Sequence, residues 1–166
     1  TLKNLDSKDW FILSLLFTAG LSSVGLEVVW NRLFIPILQT SVYAFAFILF
    51  IYLLGICLGL LHYRFDLHRN KIASTKLLLF LLVIANIIQI WFVDPRMHLG
   101  IWGVIICISF ISYLLGYLTP KQIDKISEGN PSIVGLAYAT NLLGCIIGPI
   151  LASYLLIPLI GSKFSI

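Results

Sequence analysis

The residues best suited to chemistry in this chain are the few charged and amide side chains inside long apolar stretches. Glu27 lies well inside the first stretch, and Asn31 and Arg32 follow it four and five residues later. A charge at the centre of a bilayer costs at least about 2.5–3.5 kcal/mol. Five residues turn a helix by roughly 140°, so Glu27 and Arg32 do not face each other. We therefore expect each charge to find a partner on another helix.

Three interpretations of Glu27 stay open at this point: an interhelical hydrogen bond near the outer interface, a ligand or proton site, and simple interfacial exposure. A second polar position is Asn141, which has Tyr138 one turn before it, and a third is the pair Asn86 and Gln89. Buried amides commonly join membrane helices, at about 0.6–2 kcal/mol each. Helix packing therefore accounts for these amides without a ligand.

No recognised catalytic arrangement accompanies these residues. The chain has no Ser/His/Asp set, no paired carboxylates and no glycine-rich phosphate loop, and Cys57, Cys107 and Cys145 each stand alone without a CxxC pattern. Isolated cysteines in apolar segments are usually small core residues. The sequence therefore predicts no metal site, no cofactor and no catalytic centre within these residues.

Five apolar stretches must position the polar residues. A helix needs about 20 apolar residues to cross a hydrocarbon core of about 30 Å, and the chain is 60% hydrophobic with a mean hydropathy of +1.02. This pattern predicts an all-α integral membrane protein with five transmembrane helices in one domain over residues 1–166. The predicted spans are residues 10–36, 41–63, 77–93, 98–119 and 131–160.

Positive charges alternate between the two sides of these spans. Eight of the eleven Lys and Arg residues fall on one side: Lys3, Lys8, Arg64, Arg69, Lys71, Lys76, Lys121 and Lys125. Basic loops stay cytoplasmic, which predicts a cytoplasmic N-terminus, Ile166 outside, and location in the bacterial inner membrane. The net charge of +4 then reflects topology, and we expect lipid rather than nucleic acid as the partner. Thr1 in place of an initiator Met suggests that the chain is processed or is cut from a longer protein.

Small residues predict where the helices pack. The expected packing positions are Gly55, Gly59, Thr140, Gly144, Gly148 and Ala152, the last four recurring every four residues along the fifth stretch. Small residues at this spacing let helix backbones approach closely in lipid. Pro149 predicts a kink in the fifth helix, and Pro158 predicts its end.

Several motifs resemble the membrane-spanning region of spermidine-synthase-like proteins, in which a Glu-Val-Val-Trp-x-Arg-Leu element ends the first helix. The motifs occur in four of the five stretches, in the order of that family. They are EVVWNRL at residues 27–33, SVYAF at 41–45, LLGICLG at 53–59, Gly116 with Pro120, YATNLLG at 138–144, and LLIPLIG at 155–161.

This resemblance implies a bundle similar to half of a major-facilitator transporter without its sixth helix. Members join it to a cytosolic aminopropyltransferase-like domain, whose motifs are missing from this chain, so we expect an anchoring or regulatory role. A soluble catalytic domain or another membrane subunit would be the partner, and oligomers are possible. The candidate binding residues are Glu27, Asn31, Arg32, Tyr43, Tyr138 and Asn141.

Two other functions remain open. A half-transporter would line a central cavity with Glu27 and Asn141 and would need a second repeat to complete it. A structural subunit of a membrane complex would instead use the small-residue stripe from Thr140 to Ala152 to bind a partner helix.

Overall fold

The structure is a computed structural model that describes residues 6–38, 41–92 and 100–160. Every regular element in those ranges is helical, which confirms the predicted all-α class. The helices are α1 (Ser7–Leu38), α2 (Ser41–His68), α3 (Thr75–Phe92), α4 (Gly100–Ser127) and α5 (Pro131–Leu151). A π-helical turn, Ala152–Leu156, joins α5 to a short α6, Ile157–Ile160.

Three of these helices are long and apolar enough to cross a membrane. They contain the segments Ser7–Arg32, Phe45–His68 and Pro131–Leu159. The apolar part of α3, Thr75–Gln89, is shorter, and α4 ends in the polar sequence KQIDKIS. Crossing of the membrane by α3 and α4 therefore stays a prediction. Residues 98 and 99, where the fourth span was expected to begin, lie outside the described ranges.

The boundary between α2 and α3 differs from the one expected. The predicted second span ends at Tyr63, but α2 continues for five more residues to His68 because no glycine or proline interrupts it. The helix ends near Asn70, which has a positive φ of 54°, a conformation that asparagine tolerates better than most residues. The connection is therefore residues 69–74, shorter than the basic loop of about a dozen residues that the sequence suggests.

The end of the fifth helix also differs. Residues on both sides of Pro149 are helical, and the irregularity follows as the π-helical turn, where the Ala152 N–H is shared between the carbonyls of Gly148 and Pro149. The sequence predicts that Pro158 ends the fifth helix. In the structure Pro158 is instead the second residue of α6.

Two helix pairs organise the bundle. α1 packs most extensively on α5 and α2 on α4, while α3 lies against α4. Trp30, Ile48 and Ile108 are fully buried in the main core. Large apolar side chains such as Phe50 and Ile146 are exposed on the outside, an exterior that suits lipid better than water.

Candidate functional site

A polar cluster surrounds Glu27 on α1. One turn earlier, the Ser23 hydroxyl forms a 2.8 Å hydrogen bond with the Tyr52 hydroxyl of α2. One turn later, Asn31 donates from Nδ2 to the Glu27 carbonyl at 3.0 Å. The Trp30 ring meets the Tyr52 ring edge to face, with centroids 6.2 Å apart. The cluster therefore lies at the contact of α1 with α2.

Among the described residues, no opposite charge lies beside Glu27. Its side chain is half-buried and interacts electrostatically with Tyr52. Arg32 is exposed, and in the described part of the chain neither residue forms an ion pair. The expectation that each charge has a partner on another helix therefore stays a prediction, although Tyr52 of α2 lies near Glu27.

Two buried polar atoms belong to residues one turn after Glu27 on α1. Among the residues that the structure describes, Asn31 Oδ1 and Trp30 Nε1 are buried without a hydrogen-bond partner, and a buried polar atom in this state costs about 1–3 kcal/mol. Together with the Glu27 carboxylate and the Ser23 and Tyr52 hydroxyls, Asn31 makes the cluster rich in oxygen acceptors. Such a set suits a proton, a cation or an ammonium group.

The other candidate binding residues lie elsewhere. The side-chain and main-chain oxygens of Asn141 lie against Gly20, seven residues and about 10 Å along α1 from Glu27. Tyr43 and Tyr138 are 79% and 57% exposed on the outside of the bundle. Of the six candidates, only Glu27 and Asn31 meet in one place.

The small residues of α5 lie directly on α1. A Cβ atom added at Gly144 would come within 2.2 Å of the Phe17 carbonyl oxygen, and one at Gly148 within 2.3 Å of the Leu21 carbonyl oxygen. Ala152 is buried, while Thr140 bonds the Leu136 carbonyl of its own helix at 2.9 Å. The stripe is thus largely occupied within the chain, which weakens its proposed use for a partner helix.

Glycines also join α2 to α4. A Cβ atom at Gly59 would lie 2.1 Å from the Tyr113 carbonyl oxygen, and one at Gly55 would lie 2.7 Å from Ser112 Cβ. On the facing helix, Gly116 meets the Ile56 backbone. Both helix pairs therefore depend on positions where no side chain fits.

A second polar network lies at the end of the bundle that carries the α1 N-terminus, the 69–74 connection and the α4 C-terminus, here called the basic end. The Tyr117 hydroxyl donates to Asp66 at 2.7 Å and accepts from the Ala73 N–H at 3.1 Å. Lys121 donates to the Ala73 carbonyl oxygen, and Tyr63 donates to Asp124 at 2.7 Å. These bonds hold the α2–α3 connection against α4.

A cleft of about 520 Å³ lies between α1 and α3, lined in part by Leu115 and Leu118 of α4. Its lining is mostly apolar. Two of its polar side chains, Thr18 and Asn86, already donate to carbonyls of their own helices, at 3.0 Å and 2.8 Å. The cleft is therefore a poorer site for a polar ligand than the Glu27 cluster.

Sequence reasoning missed the Ser23–Tyr52 hydrogen bond near Glu27 and most of the network at the basic end. The Ser23 and Glu27 spacing of four residues is visible in the sequence, but the pairing with Tyr52 depends on how α2 packs. For the network, the available signal was an acidic residue, Asp66, within a basic segment. Its partner Tyr117 is 51 residues away, so no local pattern connects them.

Comparison with protein-family models, with curated proteins and with solved structures found no match to this chain.

Proposed function

We propose that this chain is the membrane-embedded domain of a spermidine-synthase-like protein. It crosses the bacterial inner membrane five times, in a layout like half of a major-facilitator bundle, with the N-terminus in the cytoplasm. It anchors or regulates an aminopropyltransferase-type catalytic partner. The family assignment rests on the sequence motifs, above all residues 27–33 and 138–144.

The observation that carries the membrane role is the way the helices meet. α1–α5 and α2–α4 contact through glycines that admit no Cβ, while the large side chains of α2 and α5 point outward. Close backbone contact between small residues replaces hydrophobic association where the surroundings are as apolar as the helices. A water-soluble bundle would instead bury those large side chains.

Cysteine labelling tests the five spans. In a variant lacking the three native cysteines, single cysteines are placed at Lys8, Asn70 and Glu128 on one side and at Arg96 on the other. A membrane-impermeant maleimide applied to intact cells is expected to label only the Arg96 position, and to label the others after the membrane is opened. If Arg96 and Asn70 label from the same side, α3 does not cross, and if Arg96 and Glu128 do so, α4 does not cross; either result would end the five-span proposal.

The anchoring role is tested on the protein purified from its native membrane. We expect aminopropyl transfer from decarboxylated S-adenosylmethionine to a polyamine in the purified material, carried by a covalent or associated catalytic domain. Intact mass distinguishes a covalently joined catalytic domain from an associated one. The present chain accounts for 18.6 kDa, so a joined domain would give a much larger mass. Pure protein of that mass, without partner or transfer activity, would contradict the proposal.

The Glu27 cluster favours a second candidate, a half-transporter or binding domain for a cationic solute. Spermidine is the first compound to test, because the family resemblance implies polyamines. A ligand at 100 times its Kd stabilises the folded state by about 2.7 kcal/mol. We expect spermidine to raise the Tm of the detergent-solubilised protein, and Glu27→Gln to abolish the increase.

Two controls accompany this measurement. Ser22→Ala changes an exposed hydroxyl next to the cluster and is expected to preserve the response, whereas Ser23→Ala removes the bond to Tyr52 and weakens it. Sodium chloride at equal ionic strength controls for charge screening. An equal Tm increase in wild type and Glu27→Gln would exclude Glu27 as the binding group.

A further inference from the structure

Two lysines from different helices converge on a groove at the basic end. The groove has a volume of about 340 Å³ and is lined by Ser7, Lys8, Phe11 and Ile12 of α1 and by Lys125 of α4. Lys8 and Lys125 are 117 residues apart in sequence, so the α1–α4 packing brings them together. The groove is distinct from the Glu27 cluster, which lies about five turns further along α1.

The charges of both lysines are available to a ligand. Both side chains are exposed, and within the described ranges neither forms an ion pair or a hydrogen bond. Two nearby carboxylates have other partners: Asp9 accepts from the Asp6 N–H at 3.1 Å, and Asp124 accepts from Tyr63 at 2.7 Å.

A third lysine, Lys121, lies one turn before Lys125 on α4. Burial lowers the pKa of Lys121, and the neighbouring Lys125 lowers it further. Lys121 itself is engaged by the Ala73 carbonyl oxygen and so is not free to bind a ligand. Asp124 and Glu128 lie near these two lysines in sequence.

One of the lining residues, Phe11, and its neighbour in sequence, Trp10, are aromatic. Trp10 and Phe11 are 63% and 61% exposed in the first turns of α1. Tryptophan and phenylalanine beside lysines, where an apolar helix begins, are suited to the boundary between lipid headgroups and acyl chains. A free anion would use only the lysines, whereas a lipid would use both the lysines and the aromatic surface.

We propose that Lys8 and Lys125 together bind the phosphate of an anionic phospholipid, with Phe11 and Trp10 contacting the start of its acyl chains. Charge complementarity carries the assignment, because basic recesses between membrane helices are suited to anionic headgroups. The inference rests on the membrane embedding proposed above, and it is independent of the catalytic partner.

Native mass spectrometry of the detergent-purified full chain tests this site, with phosphatidylglycerol and phosphatidylcholine offered at equal concentration. We expect wild type to retain phosphatidylglycerol at least about tenfold better. The double variant Lys8→Gln/Lys125→Gln is expected to lose this preference. The matched control Lys71→Gln/Lys76→Gln removes the same charge from the same end of the bundle and is expected to keep it.

Three results would overturn the proposal: equal binding of the two lipids by wild type, an equal loss of preference in the control, or displacement of the lipid by millimolar inorganic phosphate. The last result would identify a free-anion site instead. Carbonate extraction of membranes containing each variant reports embedding separately. If the proteins stay in the membrane but wild type shows no lipid preference, only the lipid site is contradicted. The proposed membrane embedding then stands.

Discussion

Tyr117 shows how a single hydroxyl joins two elements of this chain. It donates to the Asp66 carboxylate at the end of α2 and accepts from the Ala73 N–H in the α2–α3 connection. The side chain is almost fully buried, so water cannot replace either bond. A hydrogen bond to a charged group contributes about 1.5–3 kcal/mol, so Tyr117, together with Lys121, links the end of α2 and this connection to α4.

Replacing Tyr117 by phenylalanine keeps the ring and removes both bonds. We expect the free energy of unfolding to fall by about 1–3 kcal/mol, because an Ala73 donor and an Asp66 acceptor lose their partner. Hydrogen exchange at the Ala73 amide should accelerate. Chemical unfolding in detergent and amide exchange measure the two effects.

Tyr138→Phe provides the control for this change. Its side chain is 57% exposed on α5, and no hydrogen bond in the described ranges involves its hydroxyl, so its loss should leave stability and exchange unchanged. Equal effects of the two substitutions would show that the Tyr117 bonds contribute little.

At the scale of elements, the α1–α5 pair depends on contact between backbones. Gly144 faces Phe17 and Gly148 faces Leu21 so closely that an added Cβ would overlap a carbonyl oxygen. Backbone cannot move aside as the tip of a flexible side chain can, so the two helices would have to separate. The same argument applies to Gly59 of α2 against Tyr113 of α4.

Gly144→Ala tests this packing with one added methyl group. The new Cβ would lie 2.2 Å from the Phe17 carbonyl oxygen, and we expect a loss of about 1–3 kcal/mol in the free energy of unfolding, as for other overpacked sites. Thermal unfolding in detergent, followed by circular dichroism, measures the loss.

The same helix contains a matched control. A Cβ at Gly135 would meet nothing within 4 Å, so Gly135→Ala should be neutral or stabilise α5 by up to about 1 kcal/mol through helix propensity. Comparable destabilisation by both substitutions would mean that the α1–α5 contact is not the cause.

The whole molecule combines an apolar exterior with a concentration of charge at one end. Arg64, Arg69, Lys71, Lys76 and Lys125 are all exposed at the basic end, and large apolar side chains cover much of the surface between the ends. Such a body suits a bilayer with the basic end at the membrane surface. The two glycine-lined helix pairs hold its interior together.

Much of the helical architecture follows from the sequence alone. The helical class and the approximate extents of the helices follow from the apolar composition, because every backbone group in an apolar environment must form its hydrogen bond within its own helix. The uneven distribution of Lys and Arg between the two sides follows from their order along the chain. The polar residues worth attention, Glu27 and Asn141, were also visible. Helix ends were less predictable: α2 extends to His68, and a π-helical turn follows Pro149.

Only the tertiary structure decided which of these residues meet. Tyr43 and Tyr138 face outward, Asn141 packs on Gly20, and Glu27 lies with Ser23 and Tyr52. Small-residue spacing indicates that a helix has a packing face, but it does not identify the helix that packs there. The partner depends on the three-dimensional arrangement, because the contacts join residues that no local period relates.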